Sequence, residues 1–537
     1  MSSVVGPARP SGARHTEPRV TERRAGVLLP LFSLRSPRDW GVGDLGDLEP
    51  FCRWLRSAGH TVLQLLPIAE MGPYETSPYG ALTAFALDPL YLDLDGVEDF
   101  AAAGGVGALS PGARLALDAA RSTSGIAYAH VRHAKSEALA ASFAHYEATE
   151  AASGSSREVA FAAFTDAEGW WLQEYVLFRA LADLHGHQPW TTWEPPAREA
   201  DTTGLDPLRP LLWRSCRYHA WVQWLLADQW AAARRGAAAA GIRLLGDMPF
   251  MVSGQSADVW ARQSEFRLDA TIGAPPDAFS QDGQDWGLPA MRWDLMADEG
   301  CAWWRARCRR AAALFDGVRL DHVIGYYRVY ERPIAGTPFF HPADEGAQIA
   351  LGERLLAVGR EAGAGLDLVG EDLGSVPDVV RQSLQRLEIP GFRVLRWEHD
   401  WGTFRDPRSY PVRSVATTGT HDTSSLAAWW EDELEPDARA ALAAVPVFAA
   451  LGQHGDRLTP EVQAVLLEGL YAAASRLVVV PFMDAYGGRE RINVPSTVAD
   501  SNWTYRVPWT VDALLGENGA ALAARLRDLA AGSGRLP

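Results

Sequence analysis

Short apolar runs that stop abruptly at charged groups recur along this chain, with amphipathic stretches of helical period between them. Residues 26–32, Gly-Val-Leu-Leu-Pro-Leu-Phe, read as a first strand and residues 61–67 as a second. Residues 48–58 between them carry apolar side chains at helical spacing. Strand, helix, strand is the βαβ unit of a parallel sheet. Residues 242–246 run into Asp247, and Gly317-Val318-Arg319-Leu320 runs into Asp321-His322. Residues 366–370 run into Glu371-Asp372, residues 415–420 into His421-Asp422, and residues 477–481 form a last strand. In a closed parallel barrel, strand ends of this kind build the active site. Asp321, Glu371 and Asp422 lie about 50 residues apart, room for one βα unit plus a loop. A single acid after a strand is often a helix N-cap. Four such ends, two with Arg or His beside the acid, point to a shared rim and to an enzyme for a neutral, hydroxyl-rich substrate.

Between these runs the periodicity changes. Residues 161–184 are helical, with Trp170, Trp171, Tyr175, Phe178 and Leu181 on one stripe, and residues 213–240 form another long helix. Residues 95–215 therefore read as a mostly helical insertion. The segment after Asp247, residues 249–300, is rich in Gly, Pro, Asp and Trp, which excludes a long helix. It reads as a loop over the site. It supplies flat rings for sugars to stack on, amides and carboxylates. Trp286 is its best candidate platform. The chain is helical again from Asp422 to about Gly452 and over residues 511–531.

Length turns this pattern into a fold. A single barrel needs about 250 residues, and this chain has 537. The expected fold is an α/β (β/α)8 TIM barrel over residues 26–537, with insertions around the C-terminal face of the strands. Residues 1–25 are polar, lack the apolar core of a signal peptide and read as a disordered tail. No apolar run is long enough to span a membrane.

A formal charge of −17 argues against nucleic acid or an anionic membrane as partner. Lys135 is the only Lys, so Schiff-base chemistry would rest on it alone, and GK[ST] is absent. Cys52, Cys216, Cys301 and Cys308 form no CxxC pair and read as reduced thiols of a cytoplasmic protein. His130, His133, His185 and His187 lack neighbouring carboxylates or Cys and read as surface residues, so no metal is expected. Residues 41–46 match G-x-G-x-x-G, but a polar loop separates them from the strand and Asp44 would repel phosphates, so dinucleotide binding is rejected.

Ten short motifs occur in order: Phe32-Ser33-Leu34 with residues 41–46, Gln64-x-Leu66-Pro67, Ser77-Pro78-Tyr79, Gly246-Asp247-Met248-Pro249, residues 256–260, residues 275–287, Arg319-x-Asp321-His322, residues 370–374, Thr420-His421-Asp422 and Asn502-Trp503. Over residues 26–508 the chain resembles the amylomaltases, bacterial 4-α-glucanotransferases of glycoside hydrolase family 77 and relatives of the α-amylases. The resemblance implies retaining transfer of α-1,4-glucan segments to the 4-hydroxyl of glucose or another glucan, by a monomer or homodimer without cofactor. It implies Asp321 as nucleophile, Glu371 as acid and base, and Asp422 with His421 on the sugar 2- and 3-hydroxyls. Asp247 and Tyr79 would line that subsite, with Arg319 holding the nucleophile ionised. Trp286 and Gln284 would overhang the cleft, and Ser77 would bind substrate from the Tyr79 loop. The alternatives are an α-amylase-type hydrolase, since the carboxylates are shared, and a non-catalytic glucan-binding protein. The chain departs from the family pattern at Met291, Val323-Ile324, Thr423-Ser424-Ser425 and Ser496, which leaves acceptor preference and product size open.

Overall fold

The computed structural model of the chain describes residues 22–276 and 283–537. Eight parallel strands close a barrel: β1 (Arg24–Leu28), β2 (Val62–Gln64), β3 (Arg243–Met248), β4 (Gly317–Leu320), β5 (Asp367–Gly370), β6 (Gly391–Val394), β7 (Ser414–Thr417) and β8 (Leu477–Pro481). Each strand pairs with its sequence neighbour, and β1 closes on β8 with Arg24 opposite Leu477. These strands are short and almost wholly buried, which is why they read as apolar runs rather than as alternating patterns.

Seven of the eight strands coincide with apolar runs in the sequence. The eighth, β6, does not. Gly-Phe-Arg-Val has the length and the internal cation of β4, but it runs on into Leu395-Arg396-Trp397 rather than closing on an acid, so nothing marks its end. The first strand begins at Arg24, inside the stretch read as tail, and ends at Leu28; residues 31–33 form a 3-10 turn instead. Residues 1–21 lie outside the described residues.

The expected insertion between β2 and β3 is helical, with long helices at Tyr128–Tyr146, Ser156–Leu184 and Arg209–Ala239. Lys135 is buried in it and donates to the Leu90 and Leu92 carbonyls at 2.6 and 2.8 Å, a structural role. The segment after β3 is more regular than a loop. Phe266–Ala274 pairs antiparallel with Gln284–Met291, and Val329–Pro333 and Phe339–His341, from beyond β4, extend the same sheet to four strands. Register shifts, and the Gly and Pro residues within these strands, hide the alternation that would reveal them. Asp277, Phe279 and Ser280 of the sequence motif lie outside the described residues.

The G-x-G-x-x-G stretch has a packing role. Asp44 caps the helix Leu45–Ser57 through a capping box with Asp47. At Gly43 a Cβ would come within 2.2 Å of the Leu31 carbonyl oxygen. Among the described residues no helix is long and apolar enough to cross a membrane.

Candidate active site

The C-terminal ends of β3, β4, β5 and β7 bring the predicted acids together. In the β3–β4 register Asp247 sits opposite Arg319, and in β4–β5 Leu320 sits opposite Gly370, so Asp321 and Glu371 leave adjacent strands side by side. The Glu371 amide donates to the Leu320 carbonyl at 3.0 Å and the Asp321 amide to that of Met248 at 3.1 Å, continuing the ladder into the rim.

One guanidinium organises the cluster. Arg319 Nη1 donates to Asp321 Oδ1 at 2.7 Å and to Asp247 Oδ1 and Oδ2 at 2.9 and 3.0 Å, while Nη2 lies 3.7 Å from Glu371 Oε2. Arg319 and Asp247 are shut off from solvent, with side chains 5% and 0% exposed, whereas Asp321 is 24% exposed. Asp321 therefore has an oxygen to offer a ligand; Asp247 has none to spare, because Tyr79 Oη also donates to its Oδ2 at 2.8 Å. Burial alone would depress Arg319, but Asp247 and Asp321 outweigh it and hold the cation well above its usual range. An always-charged guanidinium therefore lies in direct hydrogen-bond contact with Asp321.

Glu371 lives in a different field. Its Oε2 accepts from the His322 amide at 2.9 Å and its Oε1 from the Leu373 amide at 3.0 Å. Burial raises its carboxyl, Arg319 opposes, the Asp321 charge adds to the rise, and the result is about 7. Two neighbouring acids whose environments differ in this way can divide the acid and nucleophile roles.

Asp422 reaches the same mouth from β7. His421 Nε2 is 3.4 Å from Asp422 Oδ2, and Asn493 Nδ2 donates to Oδ1 at 2.6 Å. Burial acts upward on this carboxyl; the His421 charge and hydrogen bond, with Asn493, outweigh it and bring it to about 2. Burial likewise lowers His421, yet Asp422 turns the balance upward. The Asp422 side chain is 41% exposed. Tyr79 stacks on His421, ring centroids 5.1 Å apart at 21°, and Trp503 leans on both. A continuous set of contacts thus runs from Glu371 through Arg319, Asp247, Tyr79 and His421 to Asp422.

The other predicted residues sit around this core. Trp286 meets His322 edge to face at 4.8 Å, and its Nε1 donates to Gln284 Oε1 at 3.0 Å, so the hairpin reaches the Asp321 loop. Ser77 touches none of the three acids; its Oγ accepts from the Tyr79 amide at 3.3 Å and shapes that turn. His322 has φ +45° and its imidazole is pushed down to about 4, mainly by burial, so it is neutral at ordinary pH. Asn493, Arg491, whose Nη2 donates to the Asp422 carbonyl at 2.7 Å, and the ring of Trp503 had no assigned role in the sequence. They lie in irregular structure, where no period marks them.

The departures from the family pattern divide. Met291 and Val323 are fully buried. Ser424 accepts from Arg396 Nη1 at 2.7 Å, and Ser496 has φ +59°, the conformation that a Gly would adopt more easily. Among the described residues no group of three His, Cys, Asp or Glu side chains could hold a metal ion.

Comparison with known proteins identifies the family. Residues 29–511 match the family model of glycoside hydrolase family 77, described as 4-alpha-glucanotransferase. A 4-alpha-glucanotransferase of Thermus thermophilus is 36% identical over 528 residues, 96% of this chain and 99% of that protein. One from Chlamydia caviae is 30% identical, covering 91% of this chain and 92% of its own. An amylomaltase from Streptococcus agalactiae, solved in complex with acarbose, superposes with a TM-score of 0.81 at 24% identity, over 96% of this chain and 100% of that one. An amylomaltase from Corynebacterium glutamicum gives 0.76 at 25% identity, over 94% of this chain and 75% of that one. Matched in sequence along most of its length and in fold, the chain belongs to the 4-alpha-glucanotransferases of glycoside hydrolase family 77.

Proposed function

We propose that this 4-alpha-glucanotransferase works by retaining double displacement, with Asp321 as nucleophile and Glu371 as acid and base. The observation that carries this reading is the single guanidinium of Arg319 lying between an ion-paired, partly open carboxylate and a buried one raised to about 7. Asp321 attacks the anomeric carbon of an α-1,4-linked glucose while the bond to the leaving 4-oxygen breaks and Glu371 gives that oxygen its proton. An ester joins glucan and Asp321. The 4-hydroxyl of an acceptor sugar then attacks the same carbon, Glu371 takes its proton, and the Asp321 carboxylate is released.

Asp422 and His421 hold the 2- and 3-hydroxyls of the sugar under attack, where hydrogen bonds can strengthen as the ring flattens. Asp422 suits this task because a carboxyl near 2 is an acceptor at every working pH. Tyr79 offers a face to the sugar and Trp286 with Gln284 overhangs it. Asp247 aligns Arg319. Transfer rather than hydrolysis follows if the overhanging segments keep water from the ester and orient the acceptor. Substrates are α-1,4-glucans and maltooligosaccharides, with glucose or a glucan as acceptor, and none of the steps calls for a cofactor. The free thiols of Cys52, Cys216, Cys301 and Cys308 support a cytoplasmic setting.

Incubation with maltotriose tests the reading. Glucose plus a ladder of longer oligosaccharides is expected. Glucose and maltose alone would mean a hydrolase, and an Asp321→Asn variant with intact turnover would remove the nucleophile assignment.

A further inference from the structure

The hairpin that follows β6 ends in an indole with no partner among the described residues. His399–Asp400 pairs antiparallel with Thr403–Phe404, and Trp401 and Gly402 make the turn, with φ +50° and +84°. Positive φ at both central positions is the type I′ pattern, which favours Asn or Asp followed by Gly. A bulky residue in the first of these positions is strained. The Trp401 side chain is also completely exposed. Neither the turn nor the core has a use for it.

The hairpin follows the C-terminal end of β6, the end of the barrel that carries the acids. Arg393 Nη1 lies 3.3 Å from an oxygen of Asp372, the neighbour of Glu371. Arg396 donates to the Thr418 carbonyl at 3.2 Å and to Ser424 Oγ and carbonyl at 2.7 and 2.9 Å, bracketing His421-Asp422. The segment that leads into the hairpin thus packs between the loop of the acid and the loop of Asp422. The hairpin's legs are stiffened by Arg405, whose Nη2 donates to Asp400 Oδ2 at 2.8 Å. Asp400 and Arg405 are paired with each other, so the indole stands among charges already compensated.

We propose that Trp401 is a distal platform for an α-1,4-glucan, stacking on glucose units that extend beyond the catalytic centre and so selecting for chain length. The inference rests on the glucanotransferase reading and adds a subsite to it. A neutral, hydroxyl-rich chain fits a flat apolar face in a charge-balanced setting, because its C–H faces cover the indole while its hydroxyls stay in water. Holding the ring on a two-residue turn keeps the ordering cost of binding low.

Trp401→Asn is the test, because Asn suits the turn and removes only the ring. For the wild type and Trp401→Asn, kcat/KM is measured with long-chain amylose and with maltotriose. The ratio of amylose to maltotriose efficiency is expected to fall about threefold to tenfold, through KM, the range that one stacking contact supplies. Thermal stability should hold or rise. An unchanged ratio in a folded Trp401→Asn protein overturns the platform while leaving the transferase reading intact. An unchanged ratio with a changed oligomeric state would overturn it too, assigning the indole to a contact between copies. A wild type that makes no ladder from maltotriose removes both.

Discussion

Replacing Glu371 by Gln takes away the proton at the leaving oxygen while keeping the size of the side chain. Proton transfer by a placed carboxyl accelerates a step by about 10²- to 10⁴-fold, equivalent to ~3–5.5 kcal/mol of barrier. The structure adds a second, separable effect. Both Glu371 oxygens accept from backbone amides, those of His322 and Leu373. A Gln keeps one such bond and must turn its NH₂ toward the other N–H, so the fold loses about 1–3 kcal/mol, readable as a lower denaturant midpoint. Transfer from maltotriose should fall by about 10²- to 10⁴-fold. An α-glycosyl fluoride separates the steps. Fluoride departs without a proton, so Asp321 is still glycosylated, but no base remains to activate the acceptor. The glycosyl ester should accumulate and appear as a mass increase on the peptide that carries Asp321, and azide, which needs no base, should discharge it. Loss of maltotriose transfer with neither ester nor azide rescue would refute the division of labour between Glu371 and Asp321.

Three further outcomes follow from the same geometry. With Glu371 raised to about 7, the wild-type kcat/KM should decline as pH rises through that value, because the acid form is lost; a profile flat well above it would contradict the acid role. Arg319→Leu leaves Asp247 buried and unpaired, so the fold should lose about 3–5 kcal/mol by chemical denaturation. Because Arg319 also holds Glu371 down, a conservative Arg319→Lys variant should partly restore stability without restoring the wild-type pH profile; full restoration of both would reduce Arg319 to a generic cation. Asn493→Leu removes a donor that lowers Asp422. The acidic decline of maltotriose turnover should then move to higher pH, and an unmoved profile would strip Asn493 of its positioning role.

The strand ends were legible because their signal is local. A run such as Gly317-Val318-Arg319-Leu320 closing on Asp321 states its burial and its rim in five consecutive residues, and Leu368-Val369-Gly370 closing on Glu371 does so in four. Only β6 escaped: it has the form of β4, but no acid follows it to mark the rim. The antiparallel sheet beside the mouth escaped for a related reason: its strands are broken by shifts of register and by Gly and Pro, and it recruits residues from both sides of β4. The resemblance implied Trp286 and Gln284 over the cleft; the edge-to-face contact of Trp286 with His322 is a product of the fold.

Which residue types the protein has, in what order, and that several acids end buried strands, were properties of the chain by itself. Closure of the barrel decided what those acids became. It set Asp321 and Glu371 against one Arg319, and buried Glu371 enough to raise its carboxyl. It also brought Asn493 to Asp422 across a separation of 71 residues. Period and apolar length act over a few residues, so sequence can display them; the field at a carboxyl depends on neighbours that only the folded backbone makes adjacent.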